Sequence, residues 1–129
     1  MEQVKYLIDT NSVIDYLGMK LPVNGMGFMH SIIDVVPNVS IVTKIEVLGF
    51  NTTDDHYKLL TDFMNDATVL DLTSNIADVS IDIRKKHKTK LPDAIIAATA
   101  IVHDLILITR NSPDFKNIPA LQVMDPHSL

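Results

Sequence analysis

An α/β fold with a mainly parallel sheet is predicted by three observations. Short apolar, often β-branched runs alternate with longer segments of helical periodicity along all 129 residues. The run at residues 105–109 is apolar up to its final threonine, which suits a strand covered on both faces. Acidic residues also recur where such runs give way to a helix start or just inside the helix, the edge at which open α/β sheets bind ligands.

The elements follow in order. Residues 4–8 form a first strand ending at Asp9, and residues 11–17 a helix with Val13, Ile14 and Leu17 at helical spacing. Residues 18–27, with Pro22, Asn24 and Gly25, read as loop. A helix over 26–36 is stopped by Pro37 and Asn38. Residues 39–42 give a second strand, and Thr43 opens the helix that carries Glu46. Thr53 or Asp54 caps a helix with Leu59, Leu60, Phe63 and Met64 on its buried face. A third strand at 68–72 leads to a helix capped by Ser74. Pro92 fits the first turn of the next helix, which runs to about Val102 and is rich in alanine. Strands at 105–109 and 121–124 flank a short helical turn begun by Ser112 and Pro113.

This length suits one domain, residues 1–129, with one core. A composition 47% hydrophobic and 21% charged excludes general disorder. The apolar stretches are interrupted before membrane-spanning length, and the N-terminus lacks the pattern of a secretory signal, so no membrane association is expected. The absence of cysteine excludes disulfides and thiolate ligands and fits a cytoplasmic protein. A net charge of -5 argues against coating nucleic acid with the whole surface. Basic residues are nonetheless gathered in one place: Arg84, Lys85, Lys86, His87, Lys88 and Lys90 precede Asp93. Such a run can solvate a helix end, or it can guide a phosphate backbone, with Arg110 beside it.

Asp9, Glu46, Asp93 and Asp114 are the candidate site acids. Each also has a local role. Asp9 can cap the turn at Thr10 and Asn11, and Glu46 can close a capping box with Thr43. Asp93 and Asp114 follow prolines in helix first turns, where the macrodipole favours a carboxylate. Brought to one sheet edge, however, four carboxylates would repel one another. A Mg2+ or Mn2+ ion relieves that repulsion and is a usual tool for phosphodiester cleavage. The five histidines show no metal-ligand spacing and read as surface or helix-face residues.

The segments LIDTNSVIDYL (7–17), VTKIEVLGF (42–50) and LPDAIIAATAIVHDLILITRNSPDF (91–115) resemble the signature blocks of PIN-domain ribonucleases, most of all the VapC-like toxins of toxin–antitoxin pairs. The resemblance implies a three-layer α/β/α sandwich with a five-stranded sheet and a metal-dependent endoribonuclease activity on RNA. It implies Asp9, Glu46 and Asp93 as core metal-binding acids, with the fourth place shared between Asp114, which is charged, and Asn111. Thr10, Asn11 and Thr109 would support them. A small antitoxin and a homodimeric state are further implications. For the antitoxin, the apolar surplus at Met26, Phe28, Met29, Ile32, Ile33, Val35 and Val36 offers a groove, although a helix buried on two sides explains it equally. The alternatives are a free-standing PIN nuclease of RNA processing and a metal-dependent phosphohydrolase. Phosphatases of the haloacid dehalogenase type place two aspartates two residues apart after the first strand, where this chain has Asp9 and Asn11.

Overall fold

Alternation along very short strands decides which helices cover which face of the sheet. The computed structural model describes residues 5–129. In chain order the elements are β1 (Tyr6–Ile8), α1 (Thr10–Leu17), α2 (Val23–Ile33), β2 (Asn38–Ser40), α3 (Ile41–Leu48), α4 (Asp54–Asp66), β3 (Thr68–Leu70), α5 (Ser74–Lys86), α6 (Leu91–Val102), β4 (Ile106–Ile108), α7 (Ser112–Phe115) and β5 (Val123–Met124). The strands form one sheet in the order β3-β2-β1-β4-β5, with every pairing parallel. Leu7 pairs with Leu107 and Ile8 with Ile108. Leu7 and Leu107 point into a core with Ile76 and Ile83 of α5 and the alanines of α6. Ile8, Ile108 and Val39 point the other way, into a core with Val13, Met29, Val47, Leu60 and Phe63 from α1 to α4. The result is a three-layer α/β/α sandwich, as expected. Each fully buried leucine or isoleucine contributes about 2 kcal/mol.

Two features place the site. The strand order turns back on itself between β1 and β4, so the crevice beyond their C-terminal ends is the switch point of the sheet. Helix α6 lies close beneath it because Ala94, Ala97, Ala98 and Ala100 are all fully buried.

Several boundaries differ from expectation. All of the strands are shorter than their apolar runs, and residue 4, the expected start of the first, lies outside the described residues. Helix α2 starts at Val23, inside the expected loop, because Pro22 serves as its N-cap. It ends at Ile33 rather than Val36. Pro37 bars its predecessor from the helical region, and Val36 sits at φ 50°. Helix α3 begins at Ile41, capped by Ser40, so Thr43 lies inside the helix instead of opening it. Thr73 rather than Ser74 caps α5, and Leu59 of α4 is exposed.

The apolar surplus of α2 is largely absorbed by packing. Met29 is buried, Met26, Ile32 and Ile33 pack on the core, and Phe28 meets Tyr6 edge-on at 5.3 Å. Val35 and Val36 stay exposed and border a cavity of about 450 Å³ with Ile32, Tyr6 and Lys5. Among the described residues no helix is long and apolar enough to cross a membrane.

Candidate active site at the switch point of the sheet

Asp9 occupies the switch point itself. Its backbone N–H donates to Ile108 O at 3.1 Å, tying the residue to the end of β4, and it caps α1 by accepting from Ser12 N–H at 2.9 Å. Asp9 is only 4% exposed. Burial pushes its carboxyl pKa up, the Thr109 hydroxyl and the Ser12 N–H pull it part of the way back, and the charge of Asp93 raises it again. The hydroxyl of Ser12 lies beside this carboxylate without reaching hydrogen-bond geometry, and it is a buried side-chain oxygen with no partner.

Glu46 reaches the same region from the second turn of α3. It does not close a capping box, since Ser40 caps the helix by accepting from Val42 N–H at 3.1 Å. Instead Glu46 Oε1 accepts from the hydroxyl of Thr10 at 2.6 Å, across the α1–α3 contact. Asp93 stands in the first turn of α6, which enters from α5 rather than from a strand. Its carboxyl pKa is raised by burial first, then by the charges of Glu46 and Asp114, while Lys90 lowers it. Asp114, in the short α7, is exposed and borders a cleft of about 640 Å³ together with Asp93.

The four acids thus share one pole, and Asp93 feels two of the others. Among the described residues no three His, Asp or Glu side chains are gathered tightly enough to hold a metal ion as they stand. The donor chemistry nevertheless suits a hard divalent cation: every donor is a carboxylate oxygen, and burial together with acidic neighbours raises the proton affinity of two of them, Asp9 and Asp93.

The remaining candidates divide. Thr109 is buried, and its hydroxyl accepts from Asn111 N–H at 3.0 Å while also supporting Asp9. Asn111 caps α7 only through its backbone, and Asn11 is half-buried in the first turn of α1. Of the basic residues, Arg84, Lys88 and Lys90 line the cleft with Asp93 and Asp114. Lys85 borders a different, apolar groove of about 400 Å³, and Lys86 pairs with Asp82 one helical turn away. Arg110 is drawn away from the basic run. Its Nη1 pairs at 3.2 Å with the buried Asp15, which also takes His127 Nε2 at 3.1 Å. His127 is therefore partly buried and held by a buried carboxylate rather than free on the surface. The sequence alone does not assign Ser12 or the inward-facing Thr43 to the neighbourhood of the site, nor Asp15 as the partner of Arg110. The available signal was spacing: Ser12 lies three residues after Asp9, and Thr43 three before Glu46, on the same helix face.

Comparison with known proteins agrees with this architecture. The sequence matches the PIN domain family over residues 6–121. No curated protein sequence matches the chain significantly. Among solved structures, a toxin–antitoxin complex from Klebsiella pneumoniae is 31% identical, with 95% of this chain and 98% of that one covered and a TM-score of 0.75. DNA-bound VapBC from Salmonella typhimurium is 21% identical over 96% and 99% of the two chains, with a TM-score of 0.82. VapBC-1 from nontypeable Haemophilus influenzae is 22% identical over 95% and 98%, with a TM-score of 0.76. The family match over nearly the whole chain and the parallel sheet with acids at its switch point lead to one assignment: this chain belongs to the PIN-domain family.

Proposed function

We propose that the chain is a Mg2+- or Mn2+-dependent endoribonuclease and the toxin of a toxin–antitoxin pair. The observation that carries this reading is the pole where Asp93 and Asp114 share a cleft with Arg84, Lys88 and Lys90, within the field of Glu46 and, through Asp93, of Asp9. Carboxylates for a cation and cations for phosphates stand side by side there.

Asp9, Glu46, Asp93 and Asp114 would hold the cation. When bound, it would polarise the attacking water and stabilise charge on the leaving oxygen. Asp93, in the first turn of α6 at the edge of the cleft, would also help to orient that water. Arg84, Lys88 and Lys90 would hold flanking phosphates of the RNA, positioning it without reading its bases. The N-terminus of α6 adds a favourable partial charge for a phosphate.

Two partners belong to the same reading. The cavity beside Val35 and Val36 would take an apolar segment of an antitoxin, and a second copy of the chain would complete a homodimer in the cytoplasm. The toxin–antitoxin complexes among the solved neighbours support the antitoxin, and the 31% identity with one of them gives that support most weight.

The test is RNA cleavage with Mg2+, with Mn2+ and with EDTA, comparing wild type with Asp9→Asn and Asp93→Asn. Cleavage that needs the cation and is lost in both variants is the expected result. Cleavage in EDTA, or full activity in both variants, would overturn the proposal.

A further inference from the structure

We propose that Thr43, acting through Thr10, is a positioning residue for Glu46: a relay of two hydroxyl groups, anchored inside α3, sets the direction in which Glu46 presents its carboxylate to the acidic pole. The inference rests on the metal-dependent reading above and assigns Thr43 a part in it.

Glu46 is an exposed side chain, and an exposed glutamate ordinarily samples many rotamers. This one is held. Its Oε1 lies 2.6 Å from Thr10 Oγ1, and Thr10 Oγ1 lies 3.2 Å from Thr43 Oγ1. Thr10 has a single hydroxyl proton. The shorter bond, to a charged acceptor, has the length of a charge-assisted O–H···O bond and takes that proton. The longer contact must therefore run in the other direction, with Thr43 donating to Thr10. Thr43 is fully buried, so its hydroxyl cannot turn to water and would be penalised if left without an acceptor. A donor locked in this way polarises the next bond along the chain. Glu46 Oε2 is left without a protein hydrogen bond among the described residues, available to a ligand.

The local architecture explains why the relay can form. Because Ser40 takes over the capping of α3, the hydroxyl of Thr43 is released from that duty and faces α1, three residues from Glu46 on the same face. Thr10 directly follows Asp9, so one helix start places both acids. A tie that merely joined α1 to α3 would have no reason to end on an exposed carboxylate.

The test has two arms, each on the full chain with Thr43→Val, Thr43→Ser and Thr10→Val. In EDTA, NMR side-chain couplings report the rotamers of Glu46. The relay predicts one dominant rotamer in wild type and Thr43→Ser, and averaging in Thr43→Val and Thr10→Val. In the second arm, titration calorimetry reports Mn2+ affinity, expected to fall about 10-fold in Thr10→Val and about 3-fold or more in Thr43→Val. The loss should vanish when Thr43→Val is made in a Glu46→Ala background. Averaged rotamers in wild type overturn the relay, as does a Thr43→Val loss of affinity that persists without Glu46. Unchanged Mn2+ affinity in Thr43→Val also overturns it. Wild type that binds no Mn2+ removes the metal reading instead, and the EDTA arm then decides the relay by itself.

Discussion

Replacing Asp9 with asparagine is expected to stabilise the metal-free protein at neutral pH while abolishing its function. Asparagine is as good an N-cap as aspartate, so the bond from Ser12 N–H survives the change. What disappears is a negative charge on a side chain that is 4% exposed. Withdrawing such a charge from water is costly, and the raised carboxyl pKa shows that the Ser12 N–H and the nearby Thr109 hydroxyl offset only part of that cost. Removing the charge is expected to be worth on the order of 1 kcal/mol, a rise in melting temperature of roughly 4 °C for a chain of this size. The pH dependence carries the sign. Asp9 has its folded pKa raised above the unfolded value of 3.8, so its contribution to stability is complete below 3.8 and is lost as pH rises through the folded pKa. The advantage of the variant should therefore be greatest at neutral pH and shrink to nothing near pH 3.8. Thermal unfolding of both proteins in EDTA across this range measures the difference; relief of the repulsion with Asp93 adds to it in the same direction, and carboxylates remote from Asp9 cancel. In Mn2+ the order should reverse, because a cation at about 100 times its Kd adds ~2.7 kcal/mol to the form that binds it. A variant less stable than wild type at neutral pH in EDTA, or an advantage that grows on acidification, would refute the reasoning.

Three further outcomes are expected. Asp15→Ala removes the acceptor shared by Arg110 and His127 and should cost about 2–3 kcal/mol in urea unfolding, whereas Arg110→Ala, which leaves His127 in place, should cost about 1 kcal/mol. Gly25→Ala would gain up to ~1 kcal/mol from helix propensity, yet its Cβ would stand 2.0 Å from Pro126 O, so a net loss of about 2 kcal/mol is expected in thermal unfolding. Replacing Arg84 and Lys88 with glutamine should flatten the salt dependence of RNA binding by about 1 in log–log slope for each phosphate no longer neutralised, while the same change at Lys85 and Lys86 should leave it unaltered, as read by fluorescence anisotropy across a KCl series.

The fold was legible because the central strands β1 and β4, though brief, are apolar and buried and stand out from the helical pattern around them. Strand lengths were not: apolar residues continue past the last ladder bond, as at residues 39–42, where pairing stops at Ser40 and Ile41 and Val42 already belong to α3. The start of α2 was hidden by Pro22 and two glycines, which read as loop. Gly25 is instead a helical residue made necessary by the close approach of Pro126, a neighbour 101 positions away that no local pattern reveals. Within the candidate site, the positions of Asp9, Asp93 and Asp114 at helix starts could be read directly. Side-chain direction could not. The pattern Thr43-Lys44-Ile45-Glu46 is a capping box by spacing, but Ser40 claims the cap from outside that window. Arg110 sits beside the candidate acids in sequence, but a buried carboxylate on α1 with no local signature turns it elsewhere.

The central position of β1 has a consequence for how the protein comes into being. Of the five strands described, β1 comes first in the chain yet lies at the middle of the sheet, and β4, one of its two neighbours, comes nearly a hundred residues later. During synthesis β1, β2 and β3 can meet while half of the acidic pole does not yet exist. Asp93 and Asp114 arrive with α6 and α7, on either side of β4, and only the edge strand β5 follows them. The second neighbour of β1 and the last of the acids are thus supplied together, late in the chain. A chain stopped before residue 106 has neither.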